Sequence, residues 1–212
     1  MILYTWAHSL ASFRVRIALN LKGLEPEYRY VNLRRDGGEQ LTATYAAVNP
    51  MQALPALVDG GRTLAQSVAI LEYLEEMHPQ PPLYPEDPFA RAQVRQVCEI
   101  VTSDIHPFGT PRVGKHLLTL GLTKDQVRAW YPHWMREGLT RLEAVLAPTA
   151  GQCCFGDTPT AADCFVAPQM YYAHRMDVRL DDCPTLERVW GHLSTHPAVV
   201  KAMPAAQADA EG

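Results

Sequence analysis

A proline-rich segment divides the chain into two parts of different character. Residues 79–88 read PQPPLYPEDP and contain five prolines, which fix φ and remove backbone donors, so this segment can neither continue a helix nor join a sheet. Strand-like runs alternate with helical patterns before it, and helical periodicity alone follows it. The sequence therefore predicts a domain over residues 1–80, a linker at 81–87 and a second domain over 88–212.

The first part predicts an α/β domain. A short apolar run at residues 2–6 favours a strand, and it leads into WAHSLASFRVRIALNLKG at 6–23, an amphipathic helix that Gly23 would end. Phe13, Ile17 and Leu21 form its apolar face, with Arg14 and Arg16 pointing elsewhere. The later elements are a strand within EYRYVNL (27–33), a hairpin within PALVDGGRTLA (55–65) around Asp59-Gly60-Gly61, and a helix with Ser67 as N-cap.

The second part predicts an all-α bundle. Two apolar stripes recur at helical spacing, and GDTPTAADC contains a capping box in which Thr160 and Asp163 exchange hydrogen bonds. The alanine-rich acidic tail from about Ala205 is expected to fray. The first stripe comprises Val94, Val97, Cys98 and Val101, and the second comprises Trp130, Trp134, Leu139, Leu142 and Leu146.

Charge and cysteine usage exclude several classes of function. The net charge of −4 and pI near 6.0 argue against binding to nucleic acid or an anionic membrane, which requires clustered positive charge. The five cysteines form neither a zinc pattern nor a C-x-x-C pair, so we expect free thiols, no metal site and a reducing, cytoplasmic location. No apolar run approaches the roughly 18 residues of a membrane span.

Ser9 stands where the first strand passes into the first helix. The free N–H groups of a helix N terminus attract an anion, and a hydroxyl there can donate to it. If that anion is a thiolate, it must belong to a ligand, because residues 1–97 contain no cysteine. The alternative is that Ser9 or Ser12 only caps the helix.

Two further stretches of the first part suit an extended anionic ligand. Pro55 at a strand entry, preceded by Leu54, is compatible with a cis bond or with backbone groups offered to a peptide, although it is equally compatible with a simple edge strand. Gln66-Ser67 opens another helix, whose N terminus could bind a carboxylate. Together these features favour a peptide that carries a thiol.

Six segments in register resemble the zeta class of the glutathione transferases over nearly the whole chain. They are SxxSFRVRIALNLKG, NPMQALPALVDGG, LAQSVAILEYLEE, LYPEDPFARAQVR, SDIHP and FGDTPTAADCFVAPQ. The resemblance implies a thioredoxin-like N-terminal domain, an all-α C-terminal domain, glutathione as the thiol ligand and a homodimer. It implies that Ser9 holds the glutathione sulfur as a thiolate, with the remaining glutathione contacts supplied by Leu54, Pro55, Gln66, Ser67, His106 and Thr110.

The class includes maleylacetoacetate and maleylpyruvate isomerases, which implies cis–trans isomerisation of a small dicarboxylate by reversible addition of a thiolate. Arg112 and Arg175 match arginines associated with the substrate carboxylates. The usual Arg-Ser-Ser-Cys sequence is His8-Ser9-Leu10-Ala11 here, so His8 replaces a fixed positive charge. Because histidine changes charge near neutral pH, binding of a carboxylate by His8 should strengthen as the pH falls.

Other functions remain open beside this one. A broader glutathione transferase acting on small electrophiles or haloacids would keep Ser9 and tolerate apolar Leu10 and Ala11. A noncatalytic interaction module would share the fold, although it has no need of Ser9, Gln66 and Ser67 together. A glutaredoxin-type enzyme is disfavoured because it needs a cysteine at the first helix. The sequence does not separate maleylacetoacetate from maleylpyruvate as substrate.

Overall fold

The computed structural model describes residues 1–211 and divides into two compact units. The first comprises Met1–Leu83 together with the C-terminal segment from Thr195, and the second comprises Tyr84–Ser194. The return of the C-terminal segment to the first unit departs from the predicted division, which placed that segment in the second domain. None of the helices within residues 1–211 is long and apolar enough to cross a membrane.

The first unit contains the predicted β-α-β-β-α core. Four strands form one mixed sheet in the order β2-β1-β3-β4, in which β1 pairs parallel with β2 and antiparallel with β3, and β3 and β4 form the predicted hairpin. The elements in chain order are β1 (Ile2–Thr5), α1 (Leu10–Leu21), β2 (Glu27–Tyr30), α2 (Ala43–Val48), β3 (Ala56–Asp59), β4 (Arg62–Ala65) and α3 (Ser67–Met77). This arrangement confirms the thioredoxin-like α/β prediction.

The second unit is helical, as predicted. A π-helical segment, Ile100–Ile105, and a 3₁₀ turn, His106–Gly109, follow its first helix without a break. The first predicted stripe is fully buried, whereas Trp130 and Trp134 of the second stripe are partly exposed. The helices are α4 (Pro88–Glu99), α5 (Pro111–Thr119), α6 (Lys124–Leu146), α7 (Ala161–Arg175) and α8 (Pro184–Leu193).

The predicted capping box at the start of α7 is present. The buried Asp163 carboxylate accepts hydrogen bonds from the Thr160 amide (2.7 Å) and the Thr160 hydroxyl (3.0 Å), and from the Cys154 amide (2.8 Å). Asp163 therefore ties the preceding loop to the first turn of α7, which is a folding role.

The amphipathic interpretation of α1 is wrong. Arg14 and Arg16 are each only 1% exposed, because α1 is covered both by α3 and by a last helix, α9 (Pro197–Ala202). Asn20 Nδ2 donates to the Ala198 carbonyl at 2.9 Å, which joins α1 directly to α9. A helix covered on two sides has no solvent face, so its arginines must find partners inside the unit.

The C-terminal tail does not fray as predicted. A 3₁₀ turn, Pro204–Ala206, follows α9, and Gln207 Nε2 donates to the carbonyls of Lys201 (2.9 Å) and Met203 (3.1 Å). Residues 209 and 210 then reach the turn between β1 and α1, as described below. Side-chain hydrogen bonds therefore hold this alanine-rich segment in place.

Candidate functional site

The first part of the candidate site is the turn between β1 and α1. Ser9 is the N-cap of α1, with φ −78° and ψ 112°, and its Oγ accepts from the Ser12 amide at 3.2 Å. The Ser9 amide donates to the Trp6 carbonyl at 3.0 Å. Ser9 therefore does cap the helix, but capping uses an oxygen lone pair and leaves the hydroxyl proton able to donate to an anion.

The buried Arg16 guanidinium donates hydrogen bonds to this turn. Its Nη1 donates to the Trp6 carbonyl (3.1 Å) and to Thr5 Oγ1 (3.0 Å), and its Nη2 donates to the Ala7 carbonyl (3.0 Å). Burial lowers the pKa of Arg16 to about 10, while the negative charge of Asp209 opposes that shift. The Trp6 and Ala7 carbonyls of the turn are thus bound by a cation inside the unit.

His8 is engaged by the C-terminal segment. Its Nε2 lies 3.1 Å from the Ala210 carbonyl oxygen, and its ring packs edge-on against Trp6 with centroids 5.1 Å apart. A carbonyl oxygen only accepts, so Nε2 carries the proton in this contact and Nδ1 is the atom left for a further partner. His8 could therefore donate to a carboxylate through Nδ1 only in its protonated form.

The second part of the site is the entry to β3. The Leu54–Pro55 peptide bond is cis, in agreement with one of the predicted alternatives, and the Leu54 side chain is buried against Trp6, Val31 and Tyr45. Within residues 1–211 the Leu54 amide and carbonyl have no backbone partner. The side chain is thus anchored while both polar groups of the backbone remain available to an extended ligand.

The third part is the start of α3, where the prediction needs correction. Ser67 is the first helical residue and Gln66 is the N-cap, because the Ser67 hydroxyl accepts from the buried Arg14 Nη1 at 3.2 Å and does not cap the helix. Gln66 has φ 72° and ψ 121°, a left-handed conformation that costs energy for a residue with a side chain. The Arg14 cation adds positive charge beneath this N terminus.

The sheet register brings these three parts to one edge. Tyr4 of β1 lies opposite Ala56 of β3, and Ala56 lies opposite Ala65 of β4. The end of β1, the start of β3 and the end of β4 are therefore adjacent. Ser9, the Leu54–Pro55 peptide and the Gln66-Ser67 pair all lie immediately beyond that edge.

The second unit carries the other four predicted residues. His106 opens the 3₁₀ turn after the π-helical segment, and Thr110, the N-cap of α5, donates from Oγ1 to the Pro107 carbonyl at 3.1 Å. Arg112 is exposed in the first turn of α5. These three residues share one segment, and a π-helical segment beside them is a common feature of functional sites.

Arg175 lies on a different helix of the second unit. It ends α7 and is exposed, and its Nη1 donates to the Tyr171 hydroxyl at 3.4 Å. This hydrogen bond raises the pKa of the guanidinium, which therefore stays charged. An exposed, permanently charged fork can bind a carboxylate.

Sequence reasoning missed three residues that shape the first unit: Arg14, Arg16 and Asp209. Their helical spacing and tail position gave no local signal, because each acts on a partner distant along the chain.

Among residues 1–211, no group of three histidine, cysteine or acidic side chains could hold a metal ion. The arrangement thus offers helix N termini, a strand entry and hydroxyls, which suits an anionic peptide.

The chain is similar to known proteins along nearly its whole length. Residues 3–82 match the family model of the glutathione S-transferase N-terminal domain, and residues 135–194 match that of the C-terminal domain. The chain is 46% identical to maleylacetoacetate isomerase of Pseudomonas aeruginosa over 99% of this chain and 98% of that protein. It is 42% identical to maleylpyruvate isomerase of a Ralstonia species, over 99% of both chains.

Solved structures show the same similarity. The holo structure of a maleylpyruvate isomerase, described as a bacterial zeta-class glutathione transferase, superimposes with a TM-score of 0.93 at 42% identity over 99% of both chains. Maleylacetoacetate isomerase of Anaeromyxobacter dehalogenans, crystallised with glutathione in its active site, superimposes with a TM-score of 0.88 at 40% identity, over 99% of this chain and 97% of that one.

Proposed function

The chain belongs to the glutathione S-transferase family, and from this premise we propose that it is a glutathione-dependent cis–trans isomerase of a maleyl-type dicarboxylate. The observation that carries the proposal is the position of Ser9: a hydroxyl at the N terminus of α1, on the same sheet edge as the Leu54–Pro55 peptide and the start of α3. The proposed substrate is maleylacetoacetate or maleylpyruvate, since relatives at 46% and 42% identity are named as isomerases of these two compounds.

The first unit fits glutathione group by group. The Ser9 hydroxyl can donate to the sulfur, and the Leu54 amide and carbonyl can pair with the cysteinyl backbone as a neighbouring strand would. The N terminus of α3, with Ser67 and the Arg14 cation, favours the carboxylate of the γ-glutamyl end. The unfavourable φ of Gln66 supports a binding role, since such conformations persist where the surrounding structure enforces them for function.

Ser9 has one chemical task, which is to favour the charged form of a bound thiol. When bound, glutathione supplies a thiolate that adds to the cis double bond, permits rotation about the resulting single bond and then leaves. A free thiol with a pKa of about 8.5 is only a few per cent ionised at pH 7, and lowering that pKa by roughly two units requires about 2.7 kcal/mol. A hydrogen bond to the charged form together with the N terminus of α1 can supply it.

The carboxylates of the substrate require cationic partners. We assign Arg112 and Arg175 to this task because both are exposed, and Arg175 is held in the charged form by Tyr171. His106 and Thr110, on the segment that also carries Arg112, are assigned to glutathione. His8 contributes through Nδ1, which can donate to a carboxylate when both ring nitrogens carry a proton.

We also propose an oligomeric state and a cellular location. The resemblance to the zeta class supports a homodimer, which sedimentation equilibrium would test. The five cysteines are buried and form no disulfide within residues 1–211, which suits a reducing cytoplasm, and fractionation of the native cells would test that location.

The experiment compares wild type with Ser9→Ala and with the matched control Ser12→Ala. Ser12 is on the same helix, and within residues 1–211 its buried Oγ has no hydrogen-bond partner, so its loss should change little. Each variant is assayed with both cis substrates, with and without glutathione. We expect turnover to depend on glutathione and to fall about 100-fold or more in Ser9→Ala only, as when one donor to a developing anion is removed.

The pair of substrates also decides between the isomerase and the broader transferase. Wild-type protein that isomerises neither maleyl substrate yet conjugates haloacids would favour the transferase. Protein with no heat of glutathione binding would favour the interaction module. Equal rates of isomerisation in wild type and Ser9→Ala would remove Ser9 from the mechanism.

A further inference from the structure

We propose that the end of the C-terminal segment, residues 202–210, positions the turn that carries Ser9, and that Asp209 is the positioning residue. This inference rests on the proposed function, since it assigns the segment a part in activating the glutathione thiol. Nothing local in the sequence suggests it, because Asp209 lies 200 residues from the turn along the chain.

The contact that carries the inference is made to Ala7, two residues before Ser9. The Asp209 Oδ2 accepts from the Ala7 amide at 3.0 Å, while the Ala7 carbonyl accepts from Arg16 Nη2 at 3.0 Å. The two peptide groups that flank Ala7 are therefore held by an acid and a base. Because peptide groups are planar, fixing both leaves the turn little freedom before it reaches Ser9.

The Trp6 carbonyl transmits this constraint to Ser9. It accepts both from Arg16 Nη1 (3.1 Å) and from the Ser9 amide (3.0 Å). A change in the orientation of the residue 6–7 peptide, whose N–H is the group bonded to Asp209, would therefore move the acceptor of the Ser9 amide. Since donor geometry within a fraction of an ångström decides how well an anion is stabilised, Ser9 depends on this peptide.

The segment is itself anchored, so Asp209 is presented at a fixed place. Arg16 Nε donates to the Ala202 carbonyl at 3.1 Å, and the Gln207 side chain binds two carbonyls at the C-terminal end of α9. The Ala210 carbonyl then contacts His8 Nε2. Residues 7 and 8 are thus paired with residues 209 and 210, one contact through an acid and one through the backbone.

Asp209 also balances charge beneath the turn. Its negative charge opposes the effect of burial on Arg16, so acid and base together present little net charge to the site. A carboxylate acting only through its charge would disfavour a nearby thiolate. A carboxylate acting by position would favour the thiolate. Removing Asp209 should therefore lower the pKa of the bound thiol if charge dominates, and raise that pKa if position dominates.

The test uses Asp209→Ala, Asp209→Asn and the control Glu211→Ala, which removes an exposed carboxylate from the same tail. The readouts are the pKa of bound glutathione, from the ultraviolet absorbance of the thiolate against pH, and amide exchange at Ala7 and Ser9. We expect Asp209→Ala to raise the thiol pKa by about one unit, equivalent to a tenfold smaller thiolate fraction below the pKa. Exchange at Ala7 should become faster.

Asp209→Asn separates position from charge, because its amide oxygen can still accept from Ala7. It should keep the thiol pKa at or below the wild-type value and keep Ala7 protected, as should Glu211→Ala. A lower thiol pKa in Asp209→Ala would mean that charge outweighs position and would overturn the inference. An unchanged thiol pKa, with only a lower melting temperature, would reduce Asp209 to a structural role and overturn it equally.

Failure of the proposed function would look different. Wild-type protein without heat of glutathione binding would overturn that function together with any role of Asp209 in thiol activation. Normal binding, with a thiol pKa that depends on Ser9 but not on Asp209, would overturn the inference alone.

Discussion

Replacing Lys22 by methionine should destabilise the first unit far more than an ordinary lysine substitution. Lys22 Nζ donates to Glu75 Oε2 (2.7 Å) and to the carbonyls of His78 (2.6 Å) and Pro81 (3.0 Å). The lysine side chain is 0% exposed and that of Glu75 is 14% exposed. Methionine fills the space of the aliphatic stem but offers no donor, so two carbonyls and the mostly buried Glu75 carboxylate lose the ammonium, while the carboxylate keeps the Leu83 amide as a donor at 3.0 Å.

The magnitude follows from burial. Removing one member of a buried ion pair costs about 3–5 kcal/mol because the remaining charge stays uncompensated. Lys201→Met is the matched control: its Nζ lies 2.9 Å from Glu25 Oε1, but the two side chains are 61% and 81% exposed. Exposed pairs contribute about 0–1 kcal/mol. Two lysines with similar ion-pair distances should thus differ by about 2 kcal/mol or more.

The assay must report on the first unit, because a chain with two compact units need not unfold in one step. Native-state hydrogen exchange of the amides in α1 gives the free energy of opening of that unit, with urea unfolding as a second measure. Adding Glu75→Gln to Lys22→Met should recover part of the loss, since it removes the unpaired charge. Equal small losses in the two lysine variants would refute the argument from burial.

Three further predictions concern buried groups. Burial raises the pKa of Cys153 to about 12, so the native thiol should resist alkylation at pH 8 until urea is added. The thiol of the unfolded chain ionises near pH 9. The contribution of the buried thiol to the free energy of unfolding should therefore be complete below pH 9 and decline toward pH 12, which melting at a series of pH values would show. Asp163→Ala should cost at least about 2 kcal/mol in urea unfolding, because the buried Cys154 amide and the partly buried Thr160 amide lose their acceptor, with Asp163→Asn costing less. Gly109→Ala should lower the melting temperature, since the new methyl would overlap the Tyr131 ring, which costs about 1–3 kcal/mol. An unchanged free energy of unfolding in Asp163→Ala, or an unchanged melting temperature in Gly109→Ala, would contradict the argument for that substitution.

Local chemistry was enough to predict the elements of the first unit. Gly60 and Gly61 have φ of 54° and 75°, as the predicted hairpin requires, and Gly23 ends α1 with φ 65°. These turns depend on residues adjacent in sequence, so a short window contains the whole cause. The same holds for the capping box of α7.

The burial of α1 could not be predicted in this way. Its pattern of apolar residues is that of a helix with one solvent face, yet the side chains of Arg14 and Arg16 are inside. The cover is α9, about 180 residues later, and the partners of Arg16 are mostly carbonyls, which every sequence contains. The error over Ser67 has the same origin, because Arg14, 53 residues away, binds the hydroxyl that would otherwise cap α3.

The two edges of the sheet differ in what they offer to an anionic ligand. Both α1 and α3 begin beyond the edge where β1 and β4 end, so two positive helix termini meet the unpaired backbone at Leu54. At their other ends, α1 and α3 stop near Lys22, whose ammonium binds the His78 carbonyl that follows α3. One edge therefore offers free donors to an anion, whereas the negative helix ends at the opposite side already have an internal cation. An anionic peptide that carries a thiol would therefore bind at the edge with the free donors. Ser9 caps α1 at that edge with its hydroxyl.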